Sequence, residues 1–181
     1  IGPEFIEDIP SQYLLSVSTL EPRKNYETAI KAFSLIKQDF PGLKYIIAGK
    51  KGWYHDRIES LIKQLDLEKD VILTGYASDA QVKGLLMKAR AYIYLSHYEG
   101  FGMPPLEAMY FRVPLLLSDI PVFRECFEGL AKFAPADDAE QVAKAMKELL
   151  NENTIKDNSK IINRYSWDKS AKKLIELMNN G

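Results

Sequence analysis

Residues 91–107 read Ala-Tyr-Ile-Tyr-Leu-Ser-His-Tyr-Glu-Gly-Phe-Gly-Met-Pro-Pro-Leu-Glu. The opening run, Ala91 to Leu95, is apolar and aromatic and short, which predicts a buried strand. A glycine-bearing loop follows, and Pro104-Pro105 then open a helix, since proline's fixed φ and absent N–H cost nothing in a first turn. Gly100 and Gly102 let the backbone turn sharply and let a ligand come close to it. Strand, glycine loop and helix N-terminus in succession present amide N–H groups to an anion, with Gly100, Phe101, Gly102 and Met103 at their centre. Glu99 and Glu107 bracket the loop, and carboxylates accept hydrogen bonds from sugar hydroxyls. Taken alone, the stretch also fits a plain strand-to-helix connection, with Glu107 an ordinary first-turn acid favoured by the helix dipole.

Outward from this unit the same pattern repeats. Tyr13–Val17, Leu43–Ala48, Val71–Thr74, Pro114–Leu117 and Ala131–Ala134 read as further strands, and amphipathic helical patterns separate them. Asn25 starts a helix with Ile30, Phe33 and Ile36 on one face; Ile58, Leu61, Ile62 and Leu65 mark the next. Ser78 is an N-cap for a helix carrying Val82, Leu85 and Leu86. A short turn and helix lie around Pro121–Glu125, Asp137 caps a helix running through Leu150, and two more are expected over 153–165 and 167–179. Regular alternation of this kind predicts an α/β domain, a Rossmann-like parallel sheet of about six strands with helices on both faces. In such sheets ligands bind at the carboxyl ends of the strands. The loops 18–24, 49–52, 75–78, 96–103 and 118–120 all belong to that edge, so motifs scattered in the chain converge in space.

Among those loops, Glu21-Pro22-Arg23-Lys24-Asn25 is unusual because it puts two cations at the start of a helix, against the dipole. Arg23 offers a planar fork for phosphate and Lys24 a point charge; a solvated surface pair is the plainer alternative. Lys50 and Lys51 lie at the same edge but are not expected to bind phosphate directly. Tyr76 and Ala77 follow the third strand and suit the flank of a nucleobase. His97 fits either a sugar pocket or a loop surface.

Composition narrows the classes. The 181 residues, with 24 basic and 25 acidic side chains, carry no basic field for nucleic acid or anionic lipid. The single cysteine, Cys126, cannot form an internal disulfide, fits a reducing cytoplasm and reads as a small apolar filler. No apolar run approaches the ~20 residues of a membrane span. The turn after the first strand, Ser16-Val17-Ser18-Thr19-Leu20, lacks the Gly-x-Gly-x-x-Gly of dinucleotide enzymes, and no phosphate-binding P-loop is present. Two histidines and one cysteine make no convincing zinc site.

Glu99 to Met109, Glu-Gly-Phe-Gly-Met-Pro-Pro-Leu-Glu-Ala-Met, resembles the E-x7-E signature of retaining glycosyltransferases with the GT-B fold (family 4, or group 1). Glu21–Asn25 is similar to the phosphate-binding loop of its mannosyl- and rhamnosyltransferase-like members, and Tyr165-Ser-Trp-Asp168 to its closing tryptophan segment. The resemblance runs from about Tyr13 to Met178. It implies the C-terminal, nucleotide-sugar-binding half of a two-domain enzyme, with residues 11–181 as that domain, residues 1–10 a cloning remnant or linker, and the acceptor-binding N-terminal domain outside this chain. By the same resemblance Glu99 faces the donor sugar, with Gly100, Phe101, Gly102 and Met103 beside it. Glu107 holds the ribose, and Ala77 and Val82 lie at the base, beside Tyr76. Arg23 and Lys24 hold the diphosphate without a metal or other cofactor, and the co-substrate is a GDP- or UDP-linked hexose. The enzyme would be cytoplasmic, or peripheral at the inner face of the membrane through its other domain. Ser16, Val17 and Ser18 replace a glycine or arginine common in the family, and Arg112 stands where glycine is common. A sugar-nucleotide epimerase of the same fold and a non-catalytic nucleotide-binding module are the alternative readings.

Overall fold

The structure, a computed structural model, describes residues 9–152 and 167–179. Six strands form one parallel sheet: β1 Tyr13–Val17, β2 Lys44–Ala48, β3 Val71–Gly75, β4 Ala91–Tyr94, β5 Leu115–Ser118 and β6 Lys132–Ala134, in the order β3-β2-β1-β4-β5-β6. The order reverses between β1 and β4, and at such a switch point the loops part to leave a crevice above the strand ends.

Helices α1 (Tyr26–Ile36), α2 (His55–Gln64) and α6 (Ala139–Asn151) cover one face of the sheet; α3 (Asp79–Leu86), α4 (Met103–Tyr110) and α5 (Pro121–Phe127) cover the other. The alternation of strand side chains decides this partition. Leu14 and Tyr45 join Ile30, Phe33, Val142 and Met146 in one core, while Tyr13, Leu15 and Ile46 join Leu85, Phe123 and Phe127 in the other. Each fully buried aliphatic or aromatic side chain contributes about 1.5–3 kcal/mol, so the two cores hold the sheet rigid beneath its loops. Cys126 is buried in the second core, as a small apolar residue should be.

Strand ends differ by a residue or so from the sequence reading. Leu43, Pro114 and Ala131 fall outside the strands and Ser118 inside, because the neighbouring strand sets where pairing begins. The last helix, α7, spans Trp167–Asn179; the helix expected over 153–165, Tyr165 of the tryptophan segment and the reading of residues 1–8 lie outside the described residues. Two corrections are larger. The cap of α6 is Asp138 and not Asp137: its carboxylate accepts from the backbone N–H groups of Glu140 at 3.1 Å and Gln141 at 3.0 Å. The cations precede α1 and do not begin it. Pro22–Lys24 form a separate 3-10 turn, and Asn25 adopts left-handed φ 52° between turn and helix. The turn ends on Arg23 and Lys24, which stand just ahead of the α1 N-terminus, where the carboxylates of Glu21 and Glu99 offset their charge.

Candidate functional site

The site begins with the path of the chain from Val17 to Lys24. Asn25 accepts from the Thr28 hydroxyl at 2.8 Å and donates through its side-chain amide to the Ala136 carbonyl at 2.6 Å. This holds the residue in its left-handed conformation, and the preceding 3-10 turn with it. The His97 backbone N–H donates to the Arg23 carbonyl at 2.9 Å, tying the loop after β4 to the turn after β1.

Across that tie the sequence-predicted groups meet. Lys24 Nζ lies 2.6 Å from Glu99 Oε1 and Arg23 Nη1 lies 2.9 Å from the same oxygen. The Tyr94 hydroxyl, at the end of β4, donates to Glu99 Oε1 at 3.1 Å and accepts a hydrogen bond from Lys24. Arg23 is steered by Glu21 as well, its Nε 3.0 Å from Glu21 Oε2. Burial alone would raise the Glu99 carboxyl; the hydrogen bond from Lys24 and the charges of Lys24 and Arg23 overcome this and hold it below the usual carboxylate range. Burial pulls the Lys24 ammonium down, and Glu99 opposes that pull. The arrangement is a buried cation locked on a carboxylate, with a second cation at its exposed side.

A cleft of about 420 Å³ opens over this cluster, lined by Ser18, Thr19, Arg23, Lys24, Glu99 and the 101–104 turn. It continues past Ser18 and Thr19 into a pocket of about 260 Å³ that Tyr76, Ala77 and Val82 line with Gly49 and Lys50. Two compartments sharing a serine-threonine rim thus place Tyr76, Ala77 and Val82 on one side and Arg23, Lys24, Glu99, Phe101, Gly102 and Met103 on the other; Gly100 and Glu107 line neither. Glu107 sits one turn into α4, exposed, with its carboxyl raised above the usual range by partial desolvation and by the charge of Asp79.

The glycine reading needs revision. Gly102 has φ +106°, and a Cβ there would stand 2.8 Å from the Phe123 ring, so glycine is required for the turn to pack on α5. Gly100 has no positive φ and nothing within 4 Å of a built Cβ; it is not a conformational necessity. Pro104 and Pro105 have no N–H, so any amide cradle comes from the turn at 100–102 and the first helical residue, Met103.

Two contributors, Tyr94 and Thr19, were not singled out from the sequence, and Lys50 was considered there only for phosphate. Tyr94 looked like strand core, although its place at the carboxyl end of β4 was a usable signal. Thr19 lay in a loop noted only for lacking glycine. Lys50 places Nζ 5.4 Å from the Tyr76 ring centre, on the wall of the smaller pocket. His97 faces away from this channel: its Nδ1 is 3.6 Å from Asp137, on the other side of Arg23. Among the described residues, no group of three or more His, Cys, Asp or Glu is placed to hold a metal ion, and no helix is long and apolar enough to cross a membrane.

A family model described as "Glycosyl transferases group 1" matches residues 5–173. The serotype-specific mannosyltransferase WbdA of Escherichia coli is 32% identical over 165 residues, covering 90% of this chain and 20% of WbdA. The O-antigen chain mannosyltransferase RfbU of Salmonella typhimurium is 31% identical over 157 residues, 86% of this chain and 44% of RfbU. The chain therefore spans less than half the length of either relative. Among solved structures, a mutant of TarM from S. aureus, crystallised with UDP among its ligands, superposes with TM-score 0.84 at 23% identity, over 97% of this chain and 37% of TarM. The C-terminal domain of LpcC, a glycosyl transferase group 1 family protein from Francisella tularensis, gives TM-score 0.71 at 20% identity over 80% of this chain and 78% of that domain.

Proposed function

The chain belongs to the group 1 glycosyl transferases, and from that premise we propose that it is the donor-binding, C-terminal domain of a retaining hexosyltransferase in polysaccharide synthesis. The observation that carries the proposal is the meeting of Arg23 and Lys24 with Glu99 at the mouth of one channel, 2.9 and 2.6 Å from the same oxygen. The channel's other end is the Tyr76, Ala77 and Val82 pocket, which takes the base. Glu107, which lines neither compartment, is assigned to the ribose hydroxyls on the strength of the sequence resemblance. The likeness to the LpcC C-terminal domain, over 80% of this chain and 78% of that domain, supports reading this chain as the C-terminal part of a longer protein.

In the reaction we assign to this site, the bond between the sugar's anomeric carbon and the diphosphate oxygen breaks. The electron pair stays on the departing diphosphate. The acceptor hydroxyl forms the new bond from the same face of the sugar and gives up its proton to the departing phosphate oxygen. Charge grows on the diphosphate as this happens. Arg23 and Lys24 meet it with fixed positive charge; about 4 kcal/mol each at ~4 Å and an effective dielectric of ~20 is the upper bound, which desolvation and the neighbouring Glu21 and Glu99 reduce. With three donors converging on Oε1 of Glu99, Oε2 is the oxygen assigned to the sugar hydroxyls. No metal or other cofactor enters the scheme. The mannosyltransferase relatives favour a mannose-like hexose; GDP as its carrier rests on the sequence resemblance, and the UDP in the TarM crystal leaves a UDP-hexose as the companion candidate. We place the full enzyme in the cytoplasm or against the inner membrane face, and expect this chain alone to bind donor while transferring little sugar.

Calorimetry of this chain with GDP, UDP, guanosine and uridine tests the assignment. One diphosphate should bind at least tenfold tighter than its nucleoside, and Lys24→Ala should remove that increment while leaving nucleoside affinity in place. Absence of nucleotide binding, or equal losses for diphosphate and nucleoside, would refute it.

A further inference from the structure

β1 pairs with β4 only through Leu14 and Leu15, opposite Ala91 and Tyr92. Beyond that point the two strands part, and side-chain hydroxyls take over from the backbone ladder. Ser16 Oγ donates to the Ile93 carbonyl at 2.5 Å and lies 2.7 Å from the Tyr45 hydroxyl. The Tyr92 hydroxyl is 3.2 Å from both the N–H and the carbonyl oxygen of Val17. The Ser18 N–H donates to the Ala48 carbonyl at 3.0 Å, and the Leu20 N–H to the Lys50 carbonyl at 3.2 Å. The amides of Val17, Ser18 and Leu20 are therefore committed within the protein and are not offered to a ligand.

Ser18 lines both compartments of the donor cleft, so its side chain stands where one passes into the other. Its backbone is closely packed from the β2 side: a Cβ on Gly49 would come within 1.9 Å of the Ser18 carbonyl oxygen. Its hydroxyl is held by Tyr26, the first residue of α1. Ser18 Oγ lies 2.5 Å from the Tyr26 hydroxyl, which also reaches the Ser18 carbonyl oxygen at 3.2 Å. Tyr26 is 3% exposed and belongs to the core beneath α1. Burial raises its hydroxyl above the usual tyrosine range, so the group keeps its hydrogen.

The two hydroxyl hydrogens can be shared among these oxygens in two ways. In the first, Ser18 donates to Tyr26 and Tyr26 to the Ser18 carbonyl, and nothing is offered to the cleft. In the second, Tyr26 donates to Ser18 Oγ and the serine hydrogen turns outward. A phosphate oxygen can only accept, so a diphosphate lying across the two compartments selects the second arrangement. We propose that Ser18 is a diphosphate-binding residue, and that Tyr26 positions it by donating to its oxygen from the core side. The inference rests on the donor reading above. Neither residue belongs to the motifs that carry the sequence resemblance. The charges of Arg23 and Lys24 are partly offset by Glu21 and Glu99, and a fixed hydroxyl adds a directed donor beside them.

Calorimetry with GDP, UDP and their nucleosides is the test, taken on whichever pair the wild-type chain binds. Ser18→Ala should weaken the diphosphate about tenfold, as for a lost hydrogen bond to a charged group, and leave the nucleoside unchanged. Tyr26→Phe removes one oxygen and no packing volume. It should weaken the diphosphate about threefold in the wild type and not at all in the Ser18→Ala background. A merely structural role for Tyr26 would give the same loss in both. A second readout does not depend on that variant. With an NMR-active carbon at tyrosine Cζ, the line displaced by Ser18→Ala belongs to Tyr26; it should move with diphosphate and stay in place with nucleoside. Unchanged diphosphate affinity in Ser18→Ala, equal losses for diphosphate and nucleoside, or a Tyr26 line that answers both ligands alike overturns the proposal. A diphosphate increment lost in Lys24→Ala but kept in Ser18→Ala rejects this inference and leaves the donor assignment standing; no nucleotide binding by the wild type rejects both.

Discussion

Lys24 Nζ is 2.6 Å from Glu99 Oε1, and the two side chains are 7% and 12% exposed. Two charges this far from water are tolerable only as a pair, because removing one leaves the other buried without compensation. Glu99→Gln should therefore destabilise the chain by about 3 kcal/mol in urea unfolding, because the buried Lys24 ammonium is left beside a neutral group. Lys24→Met should cost less, since Glu99 keeps Arg23 as a partner. The double variant should fall short of the summed losses by at least ~1 kcal/mol. Additive losses would show that the contact has no energetic meaning.

The same pair sets an acid limit. Glu99 has a folded-state pKa below its unfolded value near ~4.3. The native state therefore binds fewer protons than the unfolded chain in the window between the two values, and stability falls as pH drops through it. The advantage of the wild type over Glu99→Gln should be constant from neutrality to about pH 4.5 and vanish below the lowered value. Urea midpoints of both proteins between pH 7 and pH 3 give the comparison. An advantage persisting unchanged to pH 3 would contradict it.

Glu107 carries the opposite shift, raised by partial desolvation and by Asp79. A carboxyl holding two ribose hydroxyls must be ionised to accept from both. Ribonucleoside diphosphate affinity should therefore begin to fall at a pH above ~4.3, while the 2′,3′-dideoxy analogue, which has no such contact, shows no dependence on this group. Glu107→Gln should cost about tenfold for the ribonucleotide, ~1.4 kcal/mol, and nothing for the dideoxy analogue. Parallel losses for both ligands would take Glu107 out of the ribose site.

The sheet and the faces of its helices were legible because period-2 and period-3.6 patterns are enforced by burial on both sides of a parallel sheet. The convergence of Arg23 and Lys24 with Glu99 followed from topology alone, since every loop involved leaves the same strand edge. What the sequence concealed was local. Asp137 and Asp138 are adjacent acids, and which one caps α6 depends on the turn that precedes them. Asn25 looked like a helix start, whereas its left-handed backbone separates a 3-10 turn from α1. Tyr94 reads as core from its neighbours Tyr92 and Ile93, and only the end of β4 shows that its hydroxyl reaches Glu99. Ser18 lies just past a strand and Tyr26 opens a helix, and nothing in the order of residues shows that their hydroxyls meet.

The two glycines of the loop make the last contrast, since the sequence treats them alike and the structure does not. Gly102 is bound to its conformation, φ +106°, and to its lack of a side chain, with the Phe123 ring 2.8 Å from where a Cβ would stand. Gly102→Ala should cost about 2 kcal/mol or more of stability, from backbone strain and the displaced ring together. Gly100 has open space around it and no positive φ. Gly100→Ala should change stability by less than ~0.5 kcal/mol. If the donor sugar approaches the backbone there, however, the added methyl projects into the room the sugar needs. The expected result is an unfolding temperature close to wild type for Gly100→Ala, with at least fivefold weaker binding of a nucleotide sugar than of its nucleoside diphosphate relative to wild type. Differential scanning calorimetry and titration calorimetry on the two variants separate the roles. A Gly100→Ala protein that binds nucleotide sugar as well as the wild type does would remove the 100–103 turn from the sugar's contact surface.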